Sequence, residues 1–452
     1  MERIERKRNP AMVYNEPSPL EVKVISQRFG LPHSASIDTY LANDGYVAIK
    51  KAVGMTPEAI IDELKASSLR GRGGAGFPTG MKWSFVPRNT GKPTYVICNS
   101  DESEPCTCKD RLLMENDPHQ LIEGMMIAGW TIKSNKGYVF TRGEYRYQIE
   151  CMDRAIAEAY ERGILGKNIF GSGWDFDLYT HTGAGAYECG EESALLESLE
   201  GKRGIPRLKP PFPAVVGAFQ SPTILNNCET FSSVPVILRN GGAWYAGLGT
   251  PKNGGTRLMC VSGHVNMPGV YELPMGFPFG RLLNEVCAGM RNGKKMKALI
   301  PGGSSSPVLL PSECEDLLLD FDSIAAKKSM AGSGGLLILD EDTDIVAVAL
   351  RTIKFYAHES CGWCIPCREG TTWLKKVLQR FHDGAGLESD IALVGELANN
   401  MLGRTFCALG DAAAMPTEAF IRKFRPEFEE YLRKSQGPRS SELTAVPELV
   451  AV

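Results

Sequence analysis

Between residues 56 and 201 the chain alternates two hydrophobic rhythms. β-branched and aromatic residues crowd PTYVICNS, KGYVFTR and DFDLYTHTG, which predicts three strands. Apolar residues three and four apart run through DPHQLIEGMMIAGWTIKS, YQIECMDRAIAEAYERGI and EESALLESLEG, which predicts three helices. An earlier helix is expected over TPEAIIDELKASSLRG, where Thr56 caps, Pro57 takes the first position, Glu58 and Glu63 follow, and Gly71 ends the run. Repeated strand–helix units imply an α/β fold with a mainly parallel sheet, and such sheets bind ligands in loops at the carboxyl ends of their strands. The proline-rich LKPPFPAVVGAFQSPTILNN predicts an ordered loop wrapping the sheet, and a helix with SSVPVILRNGG closes this domain near residue 248.

From about residue 252 to 338 the elements shorten. RLMCVSGHV and GVYELP are predicted strands around the turn NMPG, PFGRLLNEVCAG a helix, and KMKALIPGG and GGLLILDE further strands. Few titratable side chains are placed for chemistry there, so this small α+β unit reads as a structural or docking module. Helical periodicity then takes over in DIVAVALRTIKFYAHES, EGTTWLKKVLQRFHDG, SDIALVGELANNMLG and PTEAFIRKFRPEFEEYLRK. In the third, Ile391, Val394, Leu397 and Met401 share a face. Four such segments with short joints predict an antiparallel bundle. The expected organisation is a leader and helix over 1–65, the α/β domain over 66–248, the small module over 252–338, the bundle over 344–434 and a disordered tail over 435–452.

Composition narrows the function. A chain of 452 residues has room for several domains, and 50 basic against 53 acidic side chains give no reason to expect nucleic acid. MERIERKRNP has no apolar run behind it, so neither a signal nor a transit peptide is expected. No stretch approaches the apolar length of a membrane span. The 13 cysteines, an odd number, point to a reducing compartment, with Cys151, Cys260, Cys287 and Cys314 as small buried hydrophobes.

Four other cysteines carry chemistry. Cys361, Cys364 and Cys367 stand at C-x2-C-x2-C spacing in ESCGWCIPCREG, and Cys407 lies in GRTFCALGD, so that the set occupies two of the helical joints. A cubane iron–sulfur cluster needs four thiolates, and a loop with a cysteine at every third position supplies three of them. A structural zinc site more often uses two separated C-x2-C pairs, and a thioredoxin-type dithiol has no use for a third cysteine.

Three loops are candidate ligand sites. GRGGAGFPTGMKW holds G-x-G-x-x-G at Gly71, Gly73 and Gly76, but follows a helix rather than a strand, so the standard dinucleotide fingerprint fails on context. Its glycines still let a ligand approach the backbone, with Lys82 in reach of a phosphate and Phe77 and Phe85 available to stack on flat rings. HTGAGAYECGEESALLESLEG frees the backbone at Gly183, Gly185 and Gly190 before a helix; Glu191 and Glu192 there suit the helix dipole, or recognise sugar hydroxyls. CNSDESEPCTCKDR places Asn99, Asp101, Glu102 and Glu104 just past a strand.

With these segments the chain resembles the flavoprotein subunit of proton-pumping NADH–quinone oxidoreductase, respiratory complex I. The matching pieces are GRGGAGFPTGMKW, NSDESEP, KDR, GAGAYECGEES, KPPFPA, NNCET, SGHVNMPGVYE, IPGGSSSPVL, ESCGWCIPCREG and TFCALGD, in the family's order over roughly residues 60–430. The resemblance implies a Rossmann-like domain carrying FMN, a ubiquitin-like β-grasp module and a helical bundle holding a 4Fe-4S cluster on Cys361, Cys364, Cys367 and Cys407. It assigns FMN contacts to Gly71, Gly73, Lys82, Asn99, Asp101, Tyr187, Glu191, Asn226 and Asn227. Gly74, Phe77, Phe85, Glu104, Glu192, Lys209 and Phe212 fall around NADH, and Gly76, Gly190 and Thr230 complete the cofactor-binding set. The phenylalanines stack on adenine, Glu192 faces the adenosine ribose and disfavours NADPH, and Glu104, the catalytic candidate, lies near the nicotinamide. Implied partners are a thioredoxin-like 2Fe-2S subunit and the large iron–sulfur subunit of the peripheral arm, with the chain cytoplasmic on the inner face of the membrane. A diaphorase subunit of a soluble NAD-linked hydrogenase or formate dehydrogenase shares almost every site residue, and a zinc-stapled scaffold is the alternative from another class. The family usually has glycine at Cys106, and a cysteine held at positive φ there costs on the order of 1 kcal/mol.

Overall fold

Val96 and Cys98 of strand β1 (Tyr95–Ser100) face one side of a sheet and Ile97 the other, and each side is buried in its own apolar layer. The computed structural model describes residues 18–435. Strand β1 lies between β2 (Lys136–Thr141) and β4 (Thr223–Asn227), and β3 (Asp177–Thr182) adds to β2, all parallel, in the order β3-β2-β1-β4. The chain therefore winds outward through β1, β2 and β3, then returns to the opposite side of β1. That reversal is a topological switch point, where open parallel sheets form a crevice. Strand β4 corrects the sequence reading, which placed it at the end of an ordered loop. TILNN is short and follows Ser-Pro, so no alternation long enough to register as a strand develops.

Helices α1 (Ile37–Ala42), α2 (Val47–Val53), α3 (Pro57–Ala66) and α4 (Thr79–Ser84) precede the sheet. Thr56 accepts a hydrogen bond from the Ala59 amide at 3.2 Å, the cap expected of it, although α3 ends at Ala66 rather than Gly71. After β1 come α5 (Asp110–Asn116) and α6 (Pro118–Ile132), after β2 α7 (Arg146–Glu161), after β3 α8 (Glu192–Leu199), and after β4 α9 (Cys228–Asn240) and α10 (Gly242–Gly247). Helices α6 and α9 pack together below one face of the sheet, while Leu195, Leu196 and Leu199 of α8 cover the other. A Cβ on Gly124 would fall 2.0 Å from the Phe231 carbonyl oxygen, so only glycine lets α6 and α9 approach this closely. Gly124→Ala is expected to destabilise the fold by about 1–3 kcal/mol, read from the urea midpoint.

The first segment is less a leader than an arm of the core. The Ile25 and Ser26 amides each donate to the Glu272 carboxylate at 2.8 Å, and Arg28, 1% exposed, donates to Asp117 at 2.7 Å. Together with α1 and α2 this structure replaces the expected leader from residue 18 onward; the expected tail from 436 lies outside the described residues. Strands β5 (Thr256–Gly263), β6 (Gly269–Pro274), β8 (Met296–Ile300) and β10 (Gly335–Asp340) form a second, mixed sheet in the order β6-β5-β10-β8. Short strands β7 (Phe277–Pro278) and β9 (Leu318–Leu319) pair beside helices α11 (Phe279–Arg281) and α12 (Phe321–Ala326). The helix expected over PFGRLLNEVCAG is one α turn followed by a wider π turn.

The chain divides into two compact units between Thr343 and Asp344. In the second, α13 (Ile345–Glu359) and α15 (Glu388–Met401) each pack on α14 (Ile365–His382) and α16 (Leu409–Lys423), and α17 (Arg425–Ser435) follows. The sequence pattern read the last two as one helix; Phe424 leaves helical geometry at φ −117°, two residues before Pro426, which has no N–H to continue the ladder. Ile391, Val394 and Met401 are buried, and Leu397 is half-buried.

Candidate active site

The register pairs Cys98 with Asn226 and Asn99 with Asn227, so three asparagines meet at the carboxyl ends of β1 and β4. Each is held differently. Asn99 Nδ2 donates to the Gly190 carbonyl at 2.8 Å, drawing the turn before α8 to the crevice. Asn226 Oδ1 accepts from the Trp83 indole at 2.9 Å. Asn227 caps α9 by accepting from the Glu229 amide at 2.9 Å, and its Nδ2 donates to Asp110 at 2.6 Å.

Over this crevice lies the glycine loop. The Gly71 amide donates to the Phe77 carbonyl at 2.9 Å, Arg70 Nε to the Gly76 carbonyl at 2.7 Å, and the Arg72 amide to Thr230 Oγ1 at 2.8 Å. The loop closes on itself and is pinned to the first turn of α9. A Cβ on Gly73 would stand 3.0 Å from Asn227 Cβ, while Gly74, at φ +142°, has open space beside it. The cradle is thus bare backbone set against the Asn227 amide. Phe77 and Phe85 stand on its rim with ring centroids 6.1 Å apart, 45% and 54% exposed. Phe212 is also exposed.

Charge is concentrated beside α8. Glu191 caps that helix, accepting from the Ser193 and Ala194 amides at 2.8 and 2.9 Å, which is the plainer of its two expected uses. Lys82 and Lys209 reach Glu192 at 3.2 and 3.1 Å, and Lys209 also pairs with Glu191. Burial pushes the Glu192 carboxyl up, but the two ammoniums outweigh it and hold it below the ordinary carboxylate range.

Glu104 is gripped from both sheets. Tyr187 donates to it at 2.7 Å from the first, and the Ser305 amide at 2.8 Å and Ser304 Oγ at 3.3 Å from the loop after β8. Burial raises its pKa against those three donors. The small module therefore positions a candidate catalytic carboxylate, which the sequence reading did not give it. Cys106, two residues on, has φ +75°, the strained geometry anticipated for it. Burial pushes its thiol up to about 11.

The sequence reading passed over the ion cluster beneath Asn227. Lys109 is 1% exposed and lies 2.8 Å from both Asp110 and Glu229. Glu102, read as one acid in a run, is 5% exposed and accepts from the Lys109 and Asp110 amides at 2.8 Å. KDR after an acidic run was the available signal; that its lysine points inward depends on Glu229, 120 residues away.

In the second unit Cys364 caps α14 and Cys367 sits in its first turn, so these two belong to a helix start rather than a joint. The Phe406 amide donates to Cys364 Sγ at 3.5 Å, and the Trp363 and Phe406 rings meet edge to face at 6.2 Å. The segment before Cys407 is thereby held against Cys364. Among the described residues no three His, Cys, Asp or Glu side chains close around one metal ion; a cubane instead spreads four thiolates over four irons, and this all-sulfur donor set suits it.

Residues 64–236 match the family described as the Nuo51 FMN-binding domain, 258–309 the SLBB domain, and 347–431 the NADH-ubiquinone oxidoreductase-F iron–sulfur binding region. The chain is 51% identical over 416 residues to a NADH-quinone oxidoreductase chain of the F type from Rhizobium meliloti, covering 92% of this chain and 99% of that one. The chain belongs to the NADH-quinone oxidoreductase-F family. A mitochondrial relative, NADH dehydrogenase [ubiquinone] flavoprotein 1 of Dictyostelium discoideum, is 46% identical over 407 residues, covering 89% of this chain and 85% of that one. Among solved structures, an NAD+-reducing [NiFe]-hydrogenase in the H2-reduced state superposes with a TM-score of 0.76 at 36% identity, over 84% of this chain and 63% of that one. Members of the oxidoreductase-F family are components of an oxidoreductase complex, and the matched regions identify FMN and a 4Fe-4S cluster as the cofactors. The bare cradle against the Asn227 amide fits the first, and the four thiols the second. No helix among the described residues is long and apolar enough to cross a membrane.

Proposed function

We propose that this chain is the electron-input subunit of an NADH–quinone oxidoreductase. When bound, FMN would supply two-electron chemistry toward NADH and a 4Fe-4S cluster one-electron transfer, and the protein's part is to bind, orient and tune. Asn99, Asn226, Asn227 and the Gly71–Gly76 loop hold the flavin nucleotide, with Lys82 toward its phosphate and Asp101, Tyr187, Glu191, Gly190 and Thr230 around it. Phe77, Phe85 and Phe212 take the adenine of NADH, Glu192 and Lys209 its ribose, and Glu104 orients the nicotinamide amide without moving a proton. The small mixed sheet serves as a ubiquitin-like β-grasp module, and α13–α16 as the bundle that cradles the cluster. The chain works beside other iron–sulfur subunits, a thioredoxin-like 2Fe-2S subunit and a large one, peripheral on the cytoplasmic face of the membrane. What carries this reading is the glycine loop lying against Asn227 at the switch point, with Asn99 and Asn226 at the same strand ends.

A second reading, the diaphorase subunit of an NAD-linked hydrogenase, is supported by the 36% identity to that hydrogenase chain. Gene neighbours separate the two: membrane antiporter-like subunits favour the first, a metal-hydride catalytic subunit the second.

Coenzyme choice tests the site. Glu192 neutralises Lys82 and Lys209. Removing the carboxylate takes a negative charge from beside Lys209 and leaves that ammonium more open to the extra phosphate of NADPH. Glu192→Ala is expected to raise kcat/KM for NADPH relative to NADH by about tenfold or more, some 1.4 kcal/mol. An unchanged ratio would place the adenosine ribose elsewhere.

A further inference from the structure

The loop that carries Glu104 continues through Cys106 and Cys108 and lies flat on the second sheet. Gly335, register partner of Cys260 in β5, has no side chain; a Cβ there would stand 2.8 Å from the Cys106 carbonyl oxygen. Thr107 is hydrogen-bonded to Ser333. The next residue meets β5: the Cys108 amide donates to Cys260 Sγ at 3.3 Å, and the two thiols hydrogen-bond to each other. Neither is in a disulfide; Cys108 is half-buried and Cys260 is 2% exposed. A second touching pair, Cys98 and Cys228, is fully buried on both sides and out of a reagent's reach.

The geometry points to Cys108 and Cys260 as a reversible oxidation site, a dithiol that hydrogen peroxide closes into a disulfide, fastening the Glu104 loop to β5. The Cys108 thiolate attacks one peroxide oxygen, the O–O bond breaks, and Cys108 keeps that oxygen as a sulfenic acid while hydroxide leaves and takes a proton as water. Cys260 sulfur then attacks Cys108 sulfur; the S–S bond forms, the S–O bond breaks, and hydroxide departs with the Cys260 proton as a second water. Two thiols are oxidised, one peroxide is reduced, and an external dithiol reverses the change.

The division of labour follows the surroundings. The Cys260 hydrogen bond is the largest influence on Cys108 and lowers its pKa to about 7 against burial; Arg111 and Lys109 assist, and Asp110 opposes. Glu102 and Cys106 also face it, and each interacts with it as like charge when ionised. Cys260 is pushed well up by the same hydrogen bond and by burial, so it resolves rather than attacks. Cys106, nearer Glu104, hydrogen-bonds Ser262 instead and stays protonated.

The test uses the full chain with its cofactors. Brief hydrogen peroxide treatment, blocking with N-ethylmaleimide and tandem mass spectrometry are expected to yield a Cys108–Cys260 linked peptide that dithiothreitol removes. Cys106→Ser should retain the link. Cys260→Ser should lose it and leave Cys108 as sulfinic acid. Iodoacetamide at about pH 7 should label Cys108 at least about 100-fold faster than Cys106. Quantitative maleimide labelling of Cys108 after peroxide, or a link from Cys260 to Cys106, would overturn the assignment.

Discussion

Cys407→Ser is expected to cut electron delivery to quinone in the assembled enzyme at least about 100-fold, while NADH oxidation by a soluble one-electron dye stays within about twofold of the parent. Serine keeps the size of the side chain and removes the soft thiolate that iron prefers. The loop itself should survive, because its attachment runs through the Phe406 amide to Cys364 and the Trp363–Phe406 contact, neither of which involves residue 407. The glycine cradle and its asparagines belong to the other compact unit, so flavin content should be unchanged. Iron analysis and low-temperature paramagnetic resonance give a readout independent of turnover: iron per chain falls and the cluster signal of the reduced protein disappears. A Cys407→Ser protein with full quinone activity and an unaltered signal would remove Cys407 from the ligand set.

The second large effect concerns stability. Lys109→Met is expected to cost about 3–5 kcal/mol in urea unfolding, because it leaves a buried carboxylate pair without its cation. Burial alone would lower the pKa of this ammonium; Asp110, Glu229 and Glu102 together raise it well above the ordinary value, so it stays charged. Glu229 cannot turn to solvent, since it is wholly buried and accepts the Leu258 amide at 2.9 Å. Lys109 Nζ also donates to Asn227 Oδ1 at 3.3 Å, so the loss should loosen the crevice floor and lower FMN occupancy. Adding Glu229→Gln to Lys109→Met should recover part of the stability, since one stranded charge is then removed; a double variant no better than the single one would show that the pair is not the source.

Local patterns made most of the elements legible. Strands β1 to β3 carry enough alternating residues to declare themselves, and Thr56–Pro57 marks the start of α3 through local capping chemistry. Strand β4 was hidden because five residues after a proline offer no period, yet it completes the crevice. The split between α16 and α17 turns on one residue's backbone at Phe424. In the site, the glycine loop could be picked out because unusual residues cluster in sequence, whereas Asn226 and Asn227 entered only through the family resemblance. The grip on Glu104 could not: its partner amide at Ser305 is 201 residues distant, and serines before a proline look like any loop. The pairing of Lys82 and Lys209 with Glu192 is likewise long-range, so the sequence suggested a carboxylate facing a ribose without the two cations that balance it.

The central claim is that one polypeptide holds a flavin at the β1/β4 crevice and a cubane on Cys361, Cys364, Cys367 and Cys407. Anaerobic purification of the full chain, with an absorption spectrum before and after NADH and a count of bound metal, tests it directly. The account predicts flavin bands over a broad iron–sulfur shoulder, about four irons per chain, and bleaching of both on adding NADH. A colourless protein with about one zinc per chain and no response to NADH would contradict it.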